Sequence, residues 1–228
     1  MDKVPRYRHE LKYIISYFDY YNMRGRLRAV MKSDPHTVDG RYKIRSIYFD
    51  NYNDKALREK ISGLERREKF RIRYYNDDFS LMSLEKKMKI GDLCMKVSAK
   101  ITDKECRRLL DGDYTWMPSH ESELVREFYT KLTAGLLRPR VLVSYTREPY
   151  IYAAGNVRVT FDMNIRSTAF CRRFMEEDVL DVDVGDEQGY MVLEVKFDDF
   201  LPEIIADIVQ TDKMHTSFSK YGACRKFG

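Results

Sequence analysis

The sequence predicts an α+β protein: a closed eight-stranded antiparallel β-barrel with a charged interior and helices packed outside. Three observations predict it. Stretches with period-two alternation recur along the chain, and in a strand that period places cations on one face and apolar groups on the other. The clearest is Lys69-Phe-Arg-Ile-Arg-Tyr-Tyr75, where Lys69, Arg71 and Arg73 alternate with Phe70, Ile72 and Tyr74. Between such stretches lie apolar helices that need a sheet face to cover. If they cover the apolar faces, the charged faces turn inward, into a closed barrel.

The elements follow in order. Residues 6–15 form a strand with Arg6, Arg8, Glu10 and Lys12 on one face. Ser16 caps a helix to about Met31, with Phe18, Tyr21, Leu27, Val30 and Met31 as its apolar positions. Asp34-Pro35 and Asp39-Gly40 punctuate a loop, and a strand follows over 41–50, in which Arg41, Lys43 and Arg45 share the charged face. Asn53 or Asp54 starts a short helix, Lys55–Ile61, ended by Gly63. Strands at 65–76 and 79–89 join through Asn76-Asp77-Asp78, and Gly91-Asp92 turns into Leu93–Ser98. Thr102 and Glu105 make a capping box for a helix to about Leu110. A helix over 121–134 carries Leu124, Phe128 and Leu132. Strands at 140–148, 157–162 and 164–171 precede a polar loop, Asp183–Gly189, and a strand at 190–198. On the last strands, Arg158, Thr160 and Asp162 share one face, and so do Glu194, Lys196 and Asp198. A helix after Leu201-Pro202 carries Ile204, Ile205, Ile208 and Val209, and the tail Phe218–Gly222 is helix or turn.

Energetics constrains what such a barrel holds. An isolated ion in low dielectric costs several kcal/mol even after relaxation. A barrel lined with Lys and Arg must therefore be wet and hold an anion, with Glu10, Glu85 and Glu194 offsetting part of the charge. A polyanion meets that requirement better than one carboxylate.

The bulk numbers agree with one domain of 228 residues, 43% hydrophobic and 13% aromatic, large enough for a sizeable core. Net charge is only +5, from 41 basic against 36 acidic residues, so local placement rather than overall balance carries the anion argument. Nucleic acid is disfavoured, because cations interleaved with stacked aromatics on one face are missing. Cys94, Cys106, Cys171 and Cys224 lack zinc spacing and read as reduced thiols. No run approaches a membrane-spanning length, and the N-terminus is not a signal peptide, so a cytoplasmic protein is expected. Neither a Walker loop nor a Gly-rich kinase loop is present, and no Ser-His-Asp or Cys-His arrangement is seen.

The segments Arg8-His-Glu-Leu-Lys-Tyr13, Ser46-Ile-Tyr-Phe-Asp-Asn51, Phe70-Arg-Ile-Arg-Tyr74, Glu85-Lys-Lys87, Tyr145-Thr-Arg147, Arg158–Asp162, Leu193-Glu-Val-Lys196 and Phe218-Ser-Lys-Tyr221 together resemble the triphosphate tunnel metalloenzymes. Within that superfamily the chain is similar to the polyphosphate polymerase (VTC-type) domain, over nearly its whole length. The resemblance implies an eight-stranded tunnel that threads a phosphate chain, with ATP and inorganic polyphosphate as partners and Mn²⁺ or Mg²⁺ as cofactor. Carried over, Lys12, Arg71, Arg73, Lys87, Arg147 and Arg158 act on the phosphates in catalysis, while Arg8, Lys96, Tyr145, Lys196 and Lys220 bind them. Glu194 and Glu10 are the implied metal ligands; pairing of Glu194 with a tunnel arginine is the alternative to ligation, and Glu85 reads as such a partner.

Two positions depart from the pattern. The superfamily's hydrolases and cyclases open with Glu-x-Glu-x-Lys, where this chain has Arg8, Glu10 and Lys12, so one metal ligand is replaced by a cation. Ser217 stands where a basic residue three before Lys220 is expected. Neither the appended phosphate-sensing domain nor the membrane segments usual in the family are expected from these residues. Three function classes remain: a polymerase, a triphosphate or polyphosphate hydrolase, and a non-catalytic polyphosphate-binding module.

Overall fold

In the computed structural model, which describes residues 6–184 and 191–226, the described residues form ten strands and six α-helices. The strands are β1 (Arg8–Ile15), β2 (Lys32–Ser33), β3 (Tyr42–Asp50), β4 (Arg66–Tyr75), β5 (Asp78–Ile90), β6 (Leu93–Lys100), β7 (Arg138–Tyr152), β8 (Val157–Thr168), β9 (Val182–Asp183) and β10 (Met191–Phe197). The helices are α1 (Tyr17–Val30), α2 (Lys55–Ile61), α3 (Asp103–Leu110), α4 (Glu123–Thr133), α5 (Glu203–Val209) and α6 (Lys220–Cys224). All pairings are antiparallel, in the order β7-β3-β4-β5-β6-β1-β10-β8, and β8 pairs back with β7. Eight strands therefore form a ring, with the two-residue β2 and β9 attached to β7 and β8. The N-terminal stretch before residue 6 and the polar loop from residue 185 on lie outside the described residues.

Local sequence explains most boundaries. Ser16 and Asp19 cap α1 reciprocally, and Thr102 and Glu105 do the same for α3. Asn76 and Asp77 both adopt positive φ, the signature of the tight turn that joins β4 to β5. Asp50 at the end of β3 accepts the backbone N–H groups of Ala56 and Leu57, so a strand-end carboxylate caps α2.

The outer face of the ring is covered twice. α3 and α4 pack on β3–β6, where Phe128 stacks on Phe70 and meets Phe49 edge-on. α1 and α5 pack on β1, β8 and β10, burying Leu27, Ile205, Val159, Phe161, Leu193 and Val195. A third apolar cluster sits inside the ring, where Ile44, Val141, Val143, Ile165 and Val192 meet Tyr221 and Cys224 of α6. That short helix plugs one part of the interior: Tyr221 stacks on Tyr48, and its hydroxyl donates to Asp50 at 2.6 Å.

Several expectations are corrected. On β3 the cationic face points outward, not inward. Arg41 binds Glu148, Arg45 reaches the carbonyls of Glu176 and Glu177, and Lys43 is exposed, while Tyr42, Ile44, Ser46 and Tyr48 face the interior. The reason is the same alternation: Ile47 and Phe49 share the Arg45 face and are drawn under α4. The strands read at 157–162 and 164–171 are one strand, β8, bulged at Asn164, whose φ of 52° absorbs the extra residue opposite β7. In α1, Phe18 and Tyr21 are exposed; the buried stripe is Tyr20, Met23, Leu27 and Met31. Tyr20 is drawn in because its hydroxyl donates to the buried Glu148. Ile204 of α5 is likewise exposed.

Candidate functional site

Alternation on the remaining strands does turn charge inward, around a cavity of about 770 Å³ that is lined from β1, β3–β8 and β10 and by Lys220 of α6. Register then decides which charges meet, because inward groups on paired strands stand side by side. Lys12 faces Glu194, Glu10 faces Lys196, Arg71 faces Glu85, and Arg147 faces Asp162.

The arginines are held by one another's partners. Arg147 grips both oxygens of Asp162, at 2.6 and 2.7 Å, and reaches Glu194 at 3.1 Å. Arg71 donates to Glu85 at 2.6 Å and to the Tyr48 hydroxyl at 2.9 Å. Arg73 donates to Ser46 and to the Tyr145 hydroxyl, with Glu85 at 3.9 Å. Lys96 reaches the other oxygen of Glu85 at 2.8 Å. Lys220 binds Asp162 and lies 4.8 Å from the centre of the Tyr145 ring. Arg158 binds Asp34 and Tyr42, leaving its buried Nε without a partner among the described residues.

Glu10 and Glu194 share their counter-ions. Lys12 lies 2.9 Å from Glu10 and 3.4 Å from Glu194, and Lys196 lies 3.3 and 3.2 Å from the same pair. Lys87 adds a further contact to Glu10 at 2.6 Å. Burial alone would raise the pKa of each carboxylate. The neighbouring cations overcome it, Lys12 and Lys87 for Glu10, Lys196 and Lys12 for Glu194, and Arg71 and Arg73 for Glu85. All three are held well below the usual carboxylate range and stay ionised. Burial pushes the Tyr145 phenol up to about 12 despite Arg147 and Arg73, so it remains a neutral donor.

All thirteen residues singled out from the sequence lie on or at this cavity, except that Arg8 is turned to the rim, where it binds Asp198 and the carbonyl of Asn156. Asp162, Asp34, Tyr42, Tyr48, Lys69 and Ser219 belong to the same surroundings and were not singled out as site residues. Alternation alone could have found Asp162, since it shares a face with Arg158 and Thr160. Asp34 sits in a loop and carries no signal. Ser217 is exposed and lines a smaller cavity beside the main one. His9 stacks on Phe197 at the cavity wall, His215 meets Tyr13 edge-on beside the smaller cavity, His36 meets Asp34, and His120 accepts from the backbone of Ser122.

The donor set suits a divalent cation only together with a substrate. Among the described residues no three His, Cys, Asp or Glu side chains cluster. Mg²⁺ commonly takes one or two carboxylates plus phosphate oxygens, and Glu10 and Glu194, which converge on the same two ammonium groups, match that pattern.

The VTC domain matches residues 7–227. No curated protein sequence matches the chain. Among solved structures, a Hippeastrum protein with a dominant triphosphatase activity aligns with a TM-score of 0.51 at 10% identity, over 83% of this chain and 79% of that one. A protein from Pyrococcus horikoshii aligns with a TM-score of 0.50 at 14% identity, over 97% of this chain and the whole of the other. At such identities the likeness is one of fold. No helix among the described residues is long and apolar enough to cross a membrane.

Proposed function

The chain belongs to the VTC domain family, and on that premise we propose that its cavity holds a phosphate chain and extends it with the terminal phosphoryl group of ATP. The observation that carries this reading is the excess of Lys and Arg over carboxylate on the cavity wall. Glu10, Glu85, Asp162 and Glu194 are each already gripped by two or more cations, and among the described residues the buried Arg158 Nε has no acceptor. A linear phosphate chain supplies acceptors at intervals, which a single carboxylate ligand does not. The whole chain acts as a single domain in this reading, in the cytoplasm where ATP is available.

Phosphoryl transfer asks for positioning and charge stabilisation rather than a covalent intermediate. Arg71, Arg73 and Arg147 are forks locked by carboxylate and phenol partners, so they reach phosphate oxygens with little rotamer freedom left to lose. Arg158 carries an unused Nε donor, and Tyr145 donates from a neutral hydroxyl. Lys12, Lys87, Lys96, Lys196 and Lys220 bring mobile charge that can follow an oxygen during transfer. Glu194, with Glu10, would hold Mn²⁺ or Mg²⁺, which when bound neutralises phosphate charge. Lys12 and Lys196, paired with those carboxylates in the empty cavity, would then be available to the phosphates.

Hydrolysis of triphosphate or polyphosphate is the competing outcome in the same cavity, in keeping with the activity of the Hippeastrum protein. Arg8 weighs against it here, because the cation at the first position of the β1 triad turns away to Asp198 and leaves Glu10 alone on that strand. The test is incubation with ATP and Mn²⁺, with and without a short polyphosphate primer, resolving products by gel alongside an orthophosphate assay. Growth of a ladder with stoichiometric ADP is the expected result. Orthophosphate without a ladder would replace the polymerase with a hydrolase, and bound primer without turnover would reduce the chain to a binding module.

A further inference from the structure

Lys69 stands on β4 two residues before Arg71, and lines both the main cavity and the smaller one, about 70 Å³, beside residues 215–219. Its cross-strand neighbour on β5 is another lysine, Lys87. Like charges in that position repel. Lys87 is compensated, with both oxygens of Glu10 at 2.6 and 2.7 Å. Lys69 is not. Among the described residues no carboxylate lies within 4.0 Å of its Nζ, whereas Lys12, Arg71, Lys96, Arg147, Lys196 and Lys220 each have one. Its contacts are the Ser219 hydroxyl at 3.5 Å and the face of Tyr48 at 5.7 Å.

We propose that Lys69 is a further ligand for substrate phosphate, set opposite Ser219 at this end of the cavity, and that it takes up one proton when a phosphate group enters. The inference rests on reading the cavity as a phosphate site. Titratable groups lining the two cavities beside it come from every neighbouring element: Arg67, Glu68 and Arg71 on its own strand, Lys87 and Lys89 on β5, Lys12 and Glu10 on β1, Tyr48 on β3, Lys220 on α6, Lys60 on α2 and His215 before α6. Burial, then Lys87, Lys12 and Arg71, all disfavour the ammonium form, and Glu10 opposes them only in part. The empty site thus favours the neutral amine as pH rises. An arriving phosphate oxygen is the first full counter-ion for Lys69, so the amine collects a proton from solvent and becomes the ammonium donor of a charge-assisted hydrogen bond. Uptake vanishes in acid, where Lys69 is already charged, and grows as pH rises.

Calorimetric titration with tripolyphosphate, in two buffers of different protonation enthalpy, reads the protons taken up per ligand bound. The wild type is compared with Lys69→Arg, which keeps the charge but does not titrate, and with Lys69→Met, which loses it. Protonation of tripolyphosphate itself is common to all three and cancels in the difference. The wild type is expected to take up more protons than Lys69→Arg, by a difference that grows as pH rises. Lys69→Arg is expected to bind as tightly as the wild type, and Lys69→Met at least about tenfold more weakly. Equal uptake by wild type and Lys69→Arg, or Lys69→Met affinity within about twofold of wild type, overturns the role of Lys69 while leaving the phosphate cavity standing. Failure of the wild type to bind tripolyphosphate overturns the cavity reading and this inference together.

Discussion

Arg147 and Arg158 come from neighbouring strands and reach into one cavity, yet burial separates what each does for the protein. Arg147 is buried and clamps Asp162, which has no exposed surface. Removing it leaves Asp162 with Lys220 alone, and breaking a buried pair costs about 3 kcal/mol or more. Arg158 is about one-third exposed, and its pair with Asp34 is worth about 1 kcal/mol or less. Urea unfolding of Arg147→Ala and Arg158→Ala should show that difference while both variants bind tripolyphosphate more weakly; equal losses of stability would mean that the wet cavity screens both sites alike. Glu194→Gln separates the roles of that carboxylate. Its loss should abolish the dependence of turnover on Mn²⁺ while tripolyphosphate binding in chelator is kept or strengthened, because Arg147, Lys12 and Lys196 lose an internal competitor. Loss of metal-free binding would instead make Glu194 a structural brace.

At the scale of elements, α6 couples the apolar plug to the charged cavity. Tyr221 is seated inside the ring by its hydrogen bond to Asp50 and its stacking on Tyr48, and its chain neighbour Lys220 reaches Asp162. Tyr221→Phe should cost about 2 kcal/mol, the worth of a hydrogen bond to a charged acceptor, and also weaken tripolyphosphate binding by freeing Lys220. Thr102→Ala should cost about 1 kcal/mol through the lost α3 cap and leave binding untouched, since α3 packs on the outer face. Hydrogen exchange over 220–224, read beside affinity, distinguishes the two; unchanged affinity in Tyr221→Phe would detach the plug from function. The caps of α1 and α3, the 76–77 turn and the inward face of β4 were legible from sequence, whereas the cap of α2 is Asp50 rather than Asn53 or Asp54. The face of β3 was not, because its two faces carry three cations and two aromatics each within reach of a plausible partner, and only packing under α4 selects between them.

The whole molecule carries a net positive cavity whose carboxylates are ionised because cations surround them. With Glu10, Glu85, Asp162 and Glu194 all lowered in the fold, the unfolded chain binds more protons as pH falls toward ordinary carboxylate values. Their stabilisation is therefore complete above about pH 5 and is lost progressively below about pH 4. Thermal unfolding should track that loss, and tripolyphosphate should offset it by replacing the neutralised carboxylates as counter-ion. A melting temperature flat from neutral pH down to about pH 3 would show that these ion pairs do not contribute net stability.

Sequence alone determined the alternating strands, the capped helices and the presence of an inward cationic wall on β1, β4, β5, β8 and β10, because period and capping are local properties of the chain. It also singled out, through the order of its motifs, the candidate residues that the fold brings to one cavity. Tertiary structure alone decided the counter-ions. Asp34 reaches Arg158 across 124 positions, Lys87 reaches Glu10 across 77, and Asp50 meets Tyr221 across 171. Those pairings depend on ring closure and strand register, which no local pattern encodes, and among the described residues they place no carboxylate within 4.0 Å of the Lys69 Nζ.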